Sequence, residues 1–372
     1  MNTSSLATQV IYWSFSLAFI FGFVANRTVF CTMGAVSDIV IMGAWGRMRM
    51  WLLAIAVALV GASALHHLGL IDLSKSYYQR PNLLWFSHLA GGFLFGIGMV
   101  LASGCGSRML VRIGSGSLKA VVVFTFLGIS AYMTLRGLFG IWRKEFFDSV
   151  SLDFATQGIG GQDLPTVLSA GLGMTSKQLL PIIAGALALF LLIFVFKDRD
   201  FRRNADYIFG GIIVGLIVTL GWYVSGHIGY GESPETLEMV FFATNSHTAE
   251  SFSFVAPVAY TLELLMFWSD KSLKISYGIA AVLGMIAGSL SYSLISKTFH
   301  WEGFASSVDT RNHIVGGILM GFGGVTALGC TIGQGITGIS TLAIGAFISF
   351  IAMVIGATLT LKYQYWRITQ EI

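Results

Sequence analysis

Charge is scarce in this sequence. Only 11% of the 372 residues are Asp, Glu, Lys or Arg, where soluble domains carry about 25%. Such a skin cannot cover a globule of this size, so an ordinary soluble enzyme is excluded. The 55% of hydrophobic residues excludes a disordered chain. Basic runs are absent except around Lys197–Arg203, so the net charge of +4 is no nucleic-acid footprint. Cysteine is limited to 3 residues, an odd number that excludes a disulfide framework. No CxxC occurs and no Cys/His cluster has zinc spacing, so neither metal nor cofactor is expected. A GxxxxGK[ST] motif is also missing, which argues against an ATP-driven pump in one chain. The opening MNTSSLATQ has no basic region ahead of the first apolar run. A retained helix is therefore expected there rather than a cleaved signal peptide.

What the chain does have is apolar stretches of helix length and much glycine. Candidate spans cover about 9–26, 50–70, 82–102, 117–140, 178–196, 204–224, 276–296, 310–328 and 340–361, each near the ~20 residues a bilayer requires. Four more segments, 27–45, 103–116, 240–268 and 329–339, are apolar but interrupted by Gly, Ser, Asn and ionisable residues. They are too broken to face lipid and read as short or re-entrant helices. The polar, Gly-rich stretch 141–177 reads as an exposed loop. The expected fold is an all-α polytopic membrane protein with about nine transmembrane helices and about four short ones. With 45 Gly against 5 Pro, close helix packing is expected.

The sequence repeats itself. HLAGGFLFGIGMVLASGC at 88–105 aligns without a gap on HIVGGILMGFGGVTALGC at 313–330, with 10 of 18 positions identical at an offset of 225. The flanking spans keep that offset. The order is four spans, one span, four spans, so the second half starts on the opposite side of the membrane. That makes the repeats inverted, as in many transporters. The expected organisation is a first repeat over 1–140, a loop and connecting span over 141–203, and an inverted repeat over 204–372. Lys and Arg fall 12 on one side of this scheme and 7 on the other. The positive-inside rule then places the C-terminus in the cytoplasm and the N-terminus outside.

All three cysteines occupy interrupted segments. Cys31 sits in NRTVFCTMGAVSD, Cys105 in ASGCGSRMLVR and Cys330 in ALGCTIGQG, and the last two are repeat-related. A free cysteine is often just a small buried hydrophobe, but three in broken segments point to a pathway. Gly104 and Gly106, and Gly329 and Gly333, allow close backbone approach. A short helix starting there aims N–H groups at an anion. Arg108 adds positive potential. A soft thiol in a positive field suits a sulfur-containing anion.

These motifs, in this order and on this repeat, resemble the YeeE/YedE family of sulfur-transport membrane proteins over essentially the whole chain. The resemblance implies thiosulfate uptake, nine spans with re-entrant helices, an hourglass shape, and Cys31, Cys105 and Cys330 as the pathway thiols. It also implies a TusA-like cytosolic sulfur-carrier protein as partner. Some relatives are tied to selenium, so a permease for another sulfur or selenium species is the alternative. A membrane thiol oxidoreductase is the alternative of another class, but the spacing offers no redox pair.

The remaining candidates have more structural readings. Asp38, seven residues after Cys31, pairs with Arg27 or holds the re-entrant turn. Gln334 can donate to an anion without a charge. Glu263 reads as structural. His88 and His313 each lie 17 residues before a cysteine, about 25 Å along a helix. They read as interfacial or helix-end residues rather than ligands.

Overall fold

The computed structural model describes residues 3–233 and 237–370. Apolar length and few breaking residues make the long helices. They are α1 Thr3–Arg27, α3 Gly46–His67, α4 Trp85–Leu101, α6 Leu118–Arg136, α9 Ser176–Phe196, α11 Ala205–Tyr223, α13 Tyr277–Ile295, α14 Ser307–Thr326 and α15 Ile344–Gln370. Between them lie α2 Thr32–Ser37, α5 Gly106–Gly114, α7 Leu138–Trp142, α8 Leu164–Leu172, α10 Arg199–Arg203 and α12 Ala256–Met266. Two antiparallel ribbons, β1 Asn82–Leu83 with β2 Leu152–Asp153 and β3 Tyr230–Glu232 with β4 Met239–Phe241, tie loops together. Large apolar side chains such as Ile182, Leu189, Phe190 and Ile193 of α9 are exposed, as a lipid-facing helix requires.

Eight helical stretches among the described residues are long and apolar enough to cross a membrane, against the nine expected. The ninth, 310–328, is present as α14. Its first turns carry Asp309, Arg311 and His313 and its remainder is rich in glycine, which lowers its hydropathy. The stretch 141–177 is not simply an exposed loop. Buried Asp163 caps α8 by accepting from Thr166 N at 3.1 Å. Leu164 N also donates to Leu342 O, so the segment tucks onto the start of α15.

The helices pair across the two halves. α1 packs on α13 and α11 on α3, while α4 packs on α15 and α14 on α6. The second pairing in each case repeats the first with the halves exchanged. At the centre α4 crosses α14 in antiparallel fashion through glycines. A Cβ on Gly91 would lie 2.6 Å from Ala327 N and 2.7 Å from Gly323 O. A Cβ on Gly316 would lie 2.8 Å from Ala102 N and 2.7 Å from Gly98 O. The offset of 225 converts the first set into the second, so backbone meets backbone about a pseudo-two-fold axis. This is the contact pattern of inverted repeats.

Gly316→Ala should therefore destabilise the fold by about 1–3 kcal/mol through overpacking. Gly185→Ala, on α9, meets nothing within 4 Å and should be neutral or slightly stabilising. Thermal unfolding in detergent compares the two; equal melting temperatures would contradict the backbone crossing.

Candidate functional site

The three cysteines share one local structure. Each follows a helix that ends on a left-handed residue two positions earlier: Val29 at φ 52°, Ser103 at φ 56° and Leu328 at φ 59°. Each preceding helix is sealed by the same hydrogen bond, Phe30 N to Ala25 O at 3.0 Å, Gly104 N to Met99 O at 2.8 Å and Gly329 N to Gly324 O at 2.7 Å. This is the six-to-one bond of a Schellman turn. A short helix then begins at the cysteine, which takes the N-cap position. Cys31 Sγ accepts from Gly34 N at 3.4 Å and Cys330 Sγ from Gly333 N at 3.4 Å. Cys105 takes the same N-cap position ahead of Gly106, and its Sγ turns to Ser107 Oγ. The helices are α2, α5 and a turn from Thr331 that widens into a π-helix over Gly333–Gly338.

All three thiols are free and buried. The fold brings them together: the Cys31 and Cys105 thiols are close enough to interact, and Thr331, next to Cys330, sets its hydroxyl near the Cys105 thiol. Ser107 Oγ lies 3.3 Å from Cys105 Sγ. Several buried polar atoms around this cluster have no partner: Thr32 Oγ1, Thr331 Oγ1, Gln334 Oε1 and Arg108 Nη1. The two threonines were not singled out from the sequence, although the Cys-Thr pair recurs at 31–32 and 330–331.

Cavities flank the cluster at opposite ends of α13. One, of about 170 Å³, reaches Leu328 and Gly329 and is lined by Tyr77, Glu250, Ser253 and Tyr277. The other, of about 240 Å³, is lined by Asn26, Arg108, Arg112, Ser117, His300 and Glu302. Arg112 Nη2 donates to Glu302 Oε2 at 2.9 Å and Ser117 Oγ donates to it at 2.8 Å. Burial alone would raise the Glu302 carboxyl; these donors, with Lys119 nearby, hold it down at about 2.

Some expectations change. Asp38 pairs with Arg47, not Arg27, and it opens a π-helical turn rather than continuing α2. Arg27 instead pairs with Asp206 at 3.1 Å on a half-exposed surface. No close approach requires glycine at Gly106, where a Cβ would meet nothing nearer than 3.5 Å. A Cβ on Gly104 would crowd only the Met109 and Arg108 side chains, and one on Gly329 the Gln334 side chain. Gln334 spends one N–H on Ala327 O at 2.6 Å. His88 and His313 lie near helix starts, as helix-end residues, and both are buried, bonded to Ser349 Oγ and Asp309 O. Glu263 bonds Tyr132 and Arg136.

A polytopic helical protein with broken helices meeting between two cavities has the architecture of a membrane transport protein. The family model described as "Sulphur transport" matches residues 27–359. The chain belongs to that family, one of transporters rather than enzymes. It is 24% identical over 350 residues to "Thiosulfate transporter TsuA" of Spirochaeta thermophila, covering 93% of this chain and 97% of the relative. It is 26% identical over 348 residues to "Thiosulfate transporter TsuA" of Escherichia coli, covering 90% and 89%.

The left-handed turns make a direct prediction. A β-branched residue at positive φ is strained by about 1–2 kcal/mol, and the Val29 side chain is 43% exposed. Val29→Gly should raise the melting temperature in detergent, as should Ser103→Gly. A fall in both would refute the strained turn.

Proposed function

We propose that the chain is a membrane permease that takes up thiosulfate through a pathway lined by Cys31, Cys105 and Cys330. The observation that carries this reading is the gathering of three buried thiols, each capping a short helix, between two cavities. The relatives' names support the substrate.

The chemistry follows from the ion. Thiosulfate carries two charges and a polarisable terminal sulfur. A dianion in a low-dielectric passage is costly unless dipoles or charges offset it. The N-terminal N–H groups of the short helices and Arg108 supply that offset. Tight binding would stop conduction, because the ion must also leave. A thiol is a weak, soft donor that holds the terminal sulfur loosely. The cysteines then work protonated, as a relay without covalent change, and Gln334, four residues after Cys330, serves as an uncharged donor beside them. The two repeats, 1–140 and 204–372, form the walls, joined by 141–203.

The Lys and Arg distribution supports a plasma (inner) membrane protein with its N-terminus outside and its C-terminus in the cytoplasm. The cavity at Glu250 then faces outward and the cavity at Arg108 inward, where a TusA-like sulfur carrier would receive the product.

Cys→Ala at each of the three positions should cut uptake of labelled thiosulfate into proteoliposomes at least about tenfold, since one lost transition-state contact of about 1.4 kcal/mol does that much. Cys→Ser should rescue poorly, because the hydroxyl is harder and more strongly hydrated. Full uptake by the triple Ala variant returns the thiols to a packing role. For orientation, reporter fusions after residues 160 and 200 should report opposite sides of the membrane, with 200 inside; the same side for both overturns the topology.

A further inference from the structure

Glu250 stands in the wall of the cavity that ends at Gly329, beside Cys330. It belongs to the stretch between β4 and α12, outside the spanning helices. Its position is fixed. Ser246 Oγ donates to Glu250 Oε2 at 2.7 Å, and the Glu250 N–H donates to Ser225 Oγ at 3.1 Å. The groups facing it are mostly neutral: Tyr77 and Tyr78 from the turn after α3, Tyr260 from α12 and Tyr277 from α13. His247 of its own loop is exposed. Arg143 reaches the same cavity from the turn after α7, but it pairs with Asp148 at 3.3 Å. Among the described residues no cation forms an ion pair with Glu250.

A carboxylate in the mouth of a pathway for a dianion is a contradiction if it stays ionised. Two like charges would share a cavity of about 170 Å³ whose lining cation, Arg143, is already paired with Asp148. The contradiction disappears when the carboxyl is protonated, because it then repels nothing and can donate a hydrogen bond to the anion. Burial favours this form and pushes the carboxyl up to about 7, against the opposing Ser246 hydrogen bond.

We infer that this cavity binds the anion together with a proton, and that the Glu250 carboxyl is the proton's site. The inference rests on the transport reading for the identity of the anion. The proton comes from the solution on that side and adds to a Glu250 oxygen; no other bond changes. Linkage makes the effect mutual, since whatever factor the proton contributes to anion affinity, the anion contributes to proton affinity. Thiosulfate itself does not titrate near neutrality, so any pH dependence there belongs to the protein.

Two measurements test this. The first is uptake of labelled thiosulfate into proteoliposomes, with the pH varied only on the side of this cavity. The second is the pH change when thiosulfate is added to detergent-solubilised protein in weak buffer just above neutrality. Wild-type uptake should fall about tenfold between about pH 6 and pH 8, following the protonated fraction, and adding thiosulfate should draw protons onto the protein. Glu250→Gln, a neutral isostere, should take up thiosulfate at a pH-independent rate near the wild-type acid value, with no proton pickup. Wild-type uptake that is flat with pH overturns the inference and leaves the transport reading standing. So does a slope that persists in Glu250→Gln, or a folded Glu250→Gln protein that is inactive at every pH. Proton pickup on adding thiosulfate without uptake at any pH supports the inference and overturns the transport reading instead.

Discussion

A helix that ends inside a bilayer leaves carbonyls unpaired, and the helix that starts after it leaves N–H groups unpaired, with no water to take them. Among the described residues three such breaks, before Cys31, Cys105 and Cys330, are closed from within. The left-handed residue lets the last carbonyls be capped by the chain itself. The cysteine sulfur accepts from the first turn of the next helix at Cys31 and Cys330, and Cys105 takes the same N-cap position at the start of α5. Packing long unbroken helices around the breaks then keeps lipid away. The first-turn donors that remain are held in a dry, buried place, which is where an anion would be stabilised most.

The two ends of the cluster are related in backbone but not in charge. The offset of 225 puts Gly333 where the first half has Arg108. One cavity accordingly holds two arginines and a carboxylate pinned by Arg112, while the other holds Glu250, tyrosines and a single arginine, Arg143, that pairs with Asp148. The difference lies in a few side chains, Arg108 and Arg112 of α5 on one side and Glu250 of the stretch before α12 on the other.

The spans and the repeat were legible because hydropathy and glycine spacing are local signals. Helices expected at 50–70 and 276–296 form over Gly46–His67 and Tyr277–Ile295. Asp38 was recognised as out of place in an apolar run, but its partner was not, because nothing in the sequence ranks Arg47 over Arg27. The left-handed turns were hidden for another reason. They fall on Val29, which has no glycine beside it, and on Ser103 and Leu328 rather than on Gly104 and Gly329, so no residue type advertises them. Glu250 was overlooked as well. Its significance depends on a cavity built from α12, α13 and the turns after α3 and α7, which only the fold brings together.

The exchange of helices between halves bears on how the protein is made. α1 packs mainly on α13, whose last residue is synthesised 268 positions after Arg27. At roughly 5–20 residues per second, α1 waits for tens of seconds beside lipid. During that time Asn26 lacks Ser289 and Ser293, which it bonds in the finished structure at 3.0 and 2.8 Å. The glycine faces of α4 likewise wait for α14 and α15. The first half is thus an unfinished surface while the ribosome completes the second. Assembly is necessarily late, and a chain interrupted before α13 leaves polar groups exposed to the bilayer, where quality-control proteases can recognise it.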